Sequence, residues 1–217
     1  KGAAKFLDEL LIWRELAHNF CFYRNDLASL DTIPQWARRT LMDHQDDPRE
    51  AVYSWERLYR GQTGDTLWDV AQKSLLIHGE LHNNVRMTWG KAFLNWTRYP
   101  QDALDLMIDL NHRFALDGND PNSYGGLLWC LGLFDRPFKP ERPVIGTLRP
   151  RSTKDHAKRL KNRWILRLTL PSFTNHRSGG LPEIIVNPSA LRLNAGCFTL
   201  TLNRPKRHTT AKTTKLL

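Results

Sequence analysis

The run Leu81-His82-Asn83-Asn84-Val85-Arg86-Met87-Thr88-Trp89-Gly90-Lys91 decides how the rest of the chain reads. With its continuation it sets Val85, Trp89, Ala92, Phe93 and Trp96 on one stripe at spacings of three and four, which predicts a helix over 80–97. The same periodicity extends outward on both sides. Upstream, Phe6, Leu10, Trp13, Ala17 and Phe20 predict an amphipathic helix over 4–23. Further helices are expected over 34–44 with Asp31 as its cap, over 49–60 ending at Gly61, and over 67–77 capped by Asp65 or Thr66. Downstream, Pro100 opens a helix over 101–114, Asp117 to Asn122 is a cluster of turn formers, and a short apolar helix is expected over 124–134. Nothing in residues 1–135 alternates with period two, so this part reads as all-α. Past Pro137 the character changes: three X-Pro steps impose extended backbone. Residues 164–170 and 197–202 could form strands, and the low-complexity end, 208–215, is expected to be disordered.

The 217 residues carry 32 Lys/Arg against 22 Asp/Glu, a net charge of +10, but the excess is not spread evenly. Residues 1–150 hold 18 basic and 20 acidic side chains, whereas residues 151–217 hold 14 basic and only Asp155 and Glu183. A nucleic-acid partner inferred from total charge would therefore rest on the last third alone. With 41% hydrophobic residues a core can form, yet no apolar run reaches the roughly 18–20 residues of a membrane span. The chain opens on Lys1-Gly2-Ala3 with no secretory signal and no initiator Met, so it reads as processed or as a piece of a longer chain. Cys21, Cys130 and Cys197 are far apart with no CxxC, which argues against a disulfide framework or a zinc site. A cytoplasmic monomer without a membrane partner is expected.

Metal motifs are weak. His78-Gly79-Glu80-Leu81-His82 has its Glu one place too late for a zincin, and helix-entry capping is the better role for it. Asp117 to Asn122 lacks the Gly position and closing Glu of a calcium loop. No metal site is expected. Tryptophan is the informative residue: seven of the eight (Trp13, Trp36, Trp55, Trp68, Trp89, Trp96, Trp129) lie in the near-neutral first part. Trp89 and Trp96, seven apart on one predicted helix, share nearly one face about 10 Å apart along the axis. Two core knobs and an electron relay both fit that spacing. Arg86 and the carboxylates Asp117 and Asp120 offer either an ordinary ion pair or a charge that tunes a flavin ring.

The stretch from Gly79 to Pro143 resembles the flavin-binding helical domain of DNA photolyases, specifically the class II cyclobutane pyrimidine dimer photolyases and a bacterial branch of them. The pieces that carry the resemblance are Leu81 to Lys91 as quoted, Asn95-Trp96-Thr97, Leu110-Asn111, Leu116-Asp117-Gly118-Asn119-Asp120-Pro121-Asn122-Ser123-Tyr124, Trp129 and Glu141-Arg142-Pro143. Phe6 to Cys21 looks like the family's substrate-cavity helix, and Gly61 to Asp69 also matches, so the resemblance covers about residues 5 to 150.

The resemblance implies FAD as cofactor and damaged DNA as partner. Trp89 would stand nearest the flavin, with Trp68 and Trp96 beyond it in a reducing chain. Asn111 would face flavin N5, Arg86 and Asp117 would form the ion pair beside the ring, and Asp120 and Asn122 would line the same loop. Glu9 would hydrogen-bond the bases of the lesion, while Trp13 and Trp129, with Met87 nearby, would pack against the flipped-out dimer, as extrusion of a base requires. The implied activity is that of a deoxyribodipyrimidine photo-lyase, in which light-driven electron transfer splits the dimer. A photolyase-like light sensor without repair and an inactive truncated relic are the alternatives; Glu9, Trp13 and Trp129 together favour repair.

Departures from the pattern stand at Thr88, where an aromatic is usual, at Asn83 and Asn84 after His82, and at one residue missing between Trp129 and Asp135. The expected domains are a helical FAD- and lesion-binding unit over 1–150 and a basic tail over 151–217. The family's antenna domain and its FAD phosphate-wrapping segment are expected to be absent, so the chain should retain little flavin on purification. Two readings of the segment beyond Lys161 stay open: a phosphate-binding tail, or a non-native end such as a shifted reading frame.

Overall fold

The computed structural model describes residues 2–160. The possible strands at 164–170 and 197–202, the low-complexity end and Cys197 lie outside the described residues. Those described are helical and contain no strand: α1 (Gly2–Asp8), a π-helical turn (Glu9–Trp13), α2 (Arg14–Phe22), α3 (Gln35–Asp43), α4 (Trp55–Tyr59), α5 (Thr66–His78), α6 (Asn83–Trp96), α7 (Pro100–Phe114), α8 (Pro121–Cys130) and α9 (Thr153–Arg159). Among the described residues no helix is long and apolar enough to cross a membrane.

α6 is the axis of the fold. Ten of its fourteen residues are buried, from Val85 to Trp96, the pattern of a helix enclosed on nearly all sides. It packs against α5, α7, α8 and α9. Leu75, Phe93, Leu104, Met107, Leu110, Leu127 and Leu128 fill the space between them and are essentially inaccessible to solvent. Gly90 permits the close approach: a Cβ there would lie 2.8 Å from Cys130 Sγ and 3.2 Å from Met107 Sδ. Gly90→Ala should therefore destabilise the chain by about 1–2 kcal/mol, because overpacking outweighs the helix propensity gained. A lower midpoint in a chemical melt checks this.

Several boundaries differ from the sequence reading, each for a local reason. The expected helix over 4–23 is interrupted by the π turn, where the Arg14 N–H donates to the Glu9 carbonyl. Asp31 does not cap α3; it sits in a short 3-10 turn whose cap is Ser29, and pairs with Arg38. The expected helix over 49–60 shrinks to α4, because Tyr53 is drawn out to donate its N–H to the Trp96 carbonyl and Ser54 caps the shortened helix. Asp65 caps α5 by accepting from the Trp68 N–H. α8 starts at Pro121 rather than 124: Asp120 caps it and Pro121 occupies the first turn, where a missing N–H costs nothing.

The sequence reading has no counterpart of α9. Ser152 caps it, Thr153 Oγ1 bonds to Asp65 at the start of α5, and the helix packs on α5 and α6 beyond the expected boundary at 150. His78 and His82 do not share a helix face. His78 ends α5, Gly79 turns the chain at φ 69°, and His82 caps α6 by accepting from the Asn84 N–H.

Candidate functional site

Three of the seven tryptophans form one buried series. Trp68 enters from α5 between the two indoles of α6. Its ring lies parallel to that of Trp89, with centroids 6.1 Å apart and planes 6° apart, and meets Trp96 edge-on at 5.2 Å. Phe93 fills the angle, edge-on to both Trp68 and Trp89. Trp89 and Trp68 are 1% exposed and Trp96 9%, so the series runs from the interior toward the surface.

Each inner indole is fixed by a hydrogen bond. Trp68 Nε1 donates to the Trp89 carbonyl (2.9 Å), and Trp89 Nε1 donates to Gln72 Oε1 (2.9 Å). The Gln72 amide donates in turn to the Tyr59 carbonyl. Tyr53 packs on Trp96 at 5.4 Å with its hydroxyl on the Thr63 carbonyl. Asp69 holds the Gly61–Asp65 turn that starts α5, accepting from the Thr63 N–H, the Thr63 hydroxyl and the Gly64 N–H.

Around the N-terminal half of α6 lies a polar cluster. Arg86 Nη1 contacts both Asp117 oxygens at 2.9 and 2.8 Å. Asn111, on α7, is fully buried. Its Nδ2 donates to Ser123 Oγ (3.1 Å), and that hydroxyl donates to the Asp117 carbonyl (2.7 Å). Asn111 Oδ1 and Arg86 Nε are buried with no hydrogen-bond partner among the described residues. An acceptor and a donor so left are costly unless a further group meets them. Asp120 serves the α8 cap and also approaches Arg14 and His18 on α2 at 3.7 and 3.9 Å, while Asn122 contributes its N–H to that cap.

The remaining sequence-predicted residues sit on neighbouring elements. Glu9 and Trp13 both belong to the π turn, a local geometry common at functional sites. Glu9 pairs with Lys5 at 2.6 Å, and Trp13 Nε1 donates to Asp8. Trp129 is on α8, which packs directly on α2, yet no ring contact joins it to Trp13 among the described residues. Trp129 is flanked by two cations, Lys91 Nζ at 5.2 Å and Arg149 at 5.7 Å from the ring centre. Met87, on α6, is buried, and its carbonyl accepts from the Cys130 thiol. Trp55 and Trp36 do other work: Trp55 stacks on Tyr59 and donates to Asp109, and Trp36 packs on the core.

Sequence reasoning missed Gln72, Ser123 and Lys91. Gln72 lies four residues after Trp68, hence on its face of α5, which is the signal that could have found it. Lys91 is 5% exposed; its ammonium donates to the Cys130 carbonyl (2.8 Å), and burial pushes its pKa down to about 8. Burial likewise raises the Cys130 thiol to about 11.

Comparison with known proteins gives a consistent result. No protein-family model matches the chain. Curated relatives do: deoxyribodipyrimidine photo-lyase of Methanothermobacter thermautotrophicus is 44% identical over 145 residues, covering 67% of this chain and 32% of that protein. The Arabidopsis thaliana deoxyribodipyrimidine photo-lyase is 44% identical over 145 residues (66% and 29%). That of Potorous tridactylus is 43% identical over 149 residues (68% and 28%). The all-α unit with its buried indole series belongs to the photolyase family. The chain spans about a third of the length of the curated relatives it matches.

Proposed function

We propose that this chain is the flavin- and lesion-binding part of a class II cyclobutane pyrimidine dimer photolyase of a bacterial branch, with FAD as cofactor and damaged DNA as substrate. The observation that carries the reading is the continuous Trp89–Trp68–Trp96 series ending beside a cluster with an orphaned acceptor and donor. The identity to curated photo-lyases supports the activity class.

The residues present fit an isoalloxazine. Asn111 Oδ1 is a free acceptor of the kind a protonated ring nitrogen needs, and Arg86 Nε is a free donor for a ring carbonyl. Arg86, Asn111, Asp117, Asp120 and Asn122 would hold the flavin end of the group. FAD, when bound, supplies photoexcited electron transfer to the dimer. The protein's part is orientation and electrostatics. Ser123 Oγ takes the Asn111 amide nitrogen, which leaves the amide oxygen as the unpartnered atom among the described residues. Asp117 holds the Arg86 fork, and the indoles provide closely spaced oxidisable rings in a dry core. Glu9, Trp13, Met87 and Trp129 would receive the extruded bases, with two stacking surfaces and one carboxylate for the base edge.

The test is direct: the chain is supplied with FAD, reduced, and illuminated with an oligonucleotide containing a thymine dimer. Recovery of absorbance of the separated bases is expected; with flavin bound and reduced, its absence refutes the repair reading. Asn111→Leu should retain the fold yet bind FAD about 5- to 150-fold more weakly, since a lost charge-free hydrogen bond plus an unmet partner costs about 1–3 kcal/mol. Flavin fluorescence titration measures it.

A further inference from the structure

The inner indoles of the series and the indole of Trp129 stand in opposite electrostatic settings. Trp89 and Trp68 each direct the ring N–H at an oxygen, Gln72 Oε1 and the Trp89 carbonyl, 2.9 Å away in both cases. Loss of one electron makes an indole N–H strongly acidic, and an oxygen already accepting from it favours the positive form. Among the described residues no lysine or arginine lies over the ring of Trp89, Trp68 or Trp96. Arg57 lies over Tyr53, which packs on Trp96, and not over Trp96 itself. Trp129, by contrast, carries two cations over its ring, Lys91 at 5.2 Å and Arg149 at 5.7 Å.

The two cations are not equivalent. Arg149 is held in a bidentate pair with Asp135, both contacts at 2.8 Å, so its charge is met locally. Lys91 is more than nine-tenths buried and has no carboxylate partner, only the Cys130 carbonyl. The titratable and charged groups that act on its ammonium are Cys130 on α8, the Asp135–Arg149 pair and Arg151. Burial keeps the Cys130 thiol protonated, and Arg151 has only neutral partners, Thr88 Oγ1 and two oxygens of Asn84. None of these groups cancels the Lys91 charge. A cation over an indole is attracted by the π electrons. Once one of those electrons is removed, the same cation repels the ring, and away from water that repulsion is weakly screened.

We propose that Lys91 raises the oxidation potential of Trp129 and so reserves one-electron transfer for the Trp89–Trp68–Trp96 series. Trp129 then serves as a stacking surface and not as an electron donor, a use that rests on the repair reading above. Lys91 touches no reacting atom and acts only through Trp129. The oxidant takes one electron from an indole, and that indole afterwards gives up its N–H proton; the ammonium takes part in neither transfer.

The experiment uses the whole chain without added FAD or DNA. Photogenerated ruthenium(III) tris(bipyridine) serves as the oxidant; it takes one electron and returns to ruthenium(II). Oxidised tryptophan is located by peptide mass spectrometry, and the yield at Trp129 is read against that at Trp13, an exposed indole. In Lys91→Met the Trp129-to-Trp13 ratio at pH 7 should rise about tenfold, the order of rate effect expected of one partly screened charge at this range. In the parent chain the same ratio should climb toward that of the variant between pH 7 and pH 9.5. Burial sets the Lys91 pKa at about 8, and the neutral amine no longer repels an oxidised ring. The variant should show no such climb. A ratio moved by neither substitution nor pH overturns the proposal. So does a rise on substitution with no pH response in the parent, which is what lost packing alone would give. Because neither FAD nor DNA enters the readout, failed dimer splitting alongside the expected ratios would strike the repair reading alone.

Discussion

Replacing Trp68 by Phe should abolish light-driven reduction of bound flavin while leaving flavin binding in the dark intact. Trp68 is the only ring that touches both Trp89 and Trp96 at stacking distance among the series members. Phe keeps an aromatic in the slot between them but removes the oxidisable indole and the Nε1 donor to the Trp89 carbonyl. An electron leaving Trp96 would then have to cross the gap to Trp89 in one step. The substitution should also cost about 1–3 kcal/mol, from the lost indole hydrogen bond and the volume lost, which lowers the melting temperature of a chain this size by several degrees. Trp55→Phe is the control: that indole stacks on Tyr59, away from the series, and its loss should leave photoreduction unchanged. Reduction is followed by bleaching of the oxidised flavin band under blue light with an external donor. If Trp68→Phe bleaches as fast as the parent chain, the three indoles are core and nothing more.

Replacing Lys91 by Met should stabilise the chain at neutral pH, and the gain should vanish in alkali. Burial lowers the Lys91 pKa from 10.5 to about 8. A folded-state pKa depressed below the unfolded value means that the unfolded chain binds more protons between pH 8 and 10.5, so stability rises with pH across that window. Below pH 8 the full penalty of the buried charge applies, up to about 3 kcal/mol. Met fills the same slot, yet leaves the Cys130 carbonyl without the ammonium and Trp129 without its cation, which offsets about 1 kcal/mol. A net gain of about 1–2 kcal/mol is expected at pH 7 in urea melts, with no gain by pH 10.5. Equal stabilisation at both pH values would show that the charge is not what costs stability.

The two effects share a physical origin in α6. One helix carries the indoles that pack with Trp68 and also the buried Lys91. Such crowding requires that the helix have almost no solvent face, and Gly90 makes it possible by letting Cys130 and Met107 approach its backbone.

Periodicity along the chain is enough to predict α3, α5, α6 and α7 nearly to their ends, because each has a stripe of apolar residues and all but α3 have a local start or stop signal that holds: Asp65 and Gly79 for α5, His82 for α6, Pro100 for α7. It fails where a distant partner overrides local preference. Residues 49–54 look helical, but Tyr53 is held extended by the Trp96 carbonyl, forty-three positions away. α9 lacks an apolar stripe, and forms because Thr153 reaches Asp65 and His156 reaches Thr88. At Thr88, where the resemblance leads one to expect an aromatic, the hydroxyl meets both His156 and Arg151, so the departure has a structural counterpart at the other end of the unit.

Sequence alone thus determined the all-α class, which rests on spacing within single helices, and the resemblance to photolyases, which rests on the quoted motifs and implied the set of three indoles. Only the tertiary structure decided that Trp68 stands between Trp89 and Trp96, that Gln72 anchors the innermost indole, and that Asn111 keeps an unmet oxygen. It also converted the charge asymmetry into something local. The first 150 residues are slightly acidic in sum, yet folding gathers Lys91, Arg142, Arg149, Arg151 and Arg159 around one cleft. Net charge is additive along a chain, whereas the field a ligand meets depends on which charges the packing brings within a few ångströms and which of them it leaves unpaired.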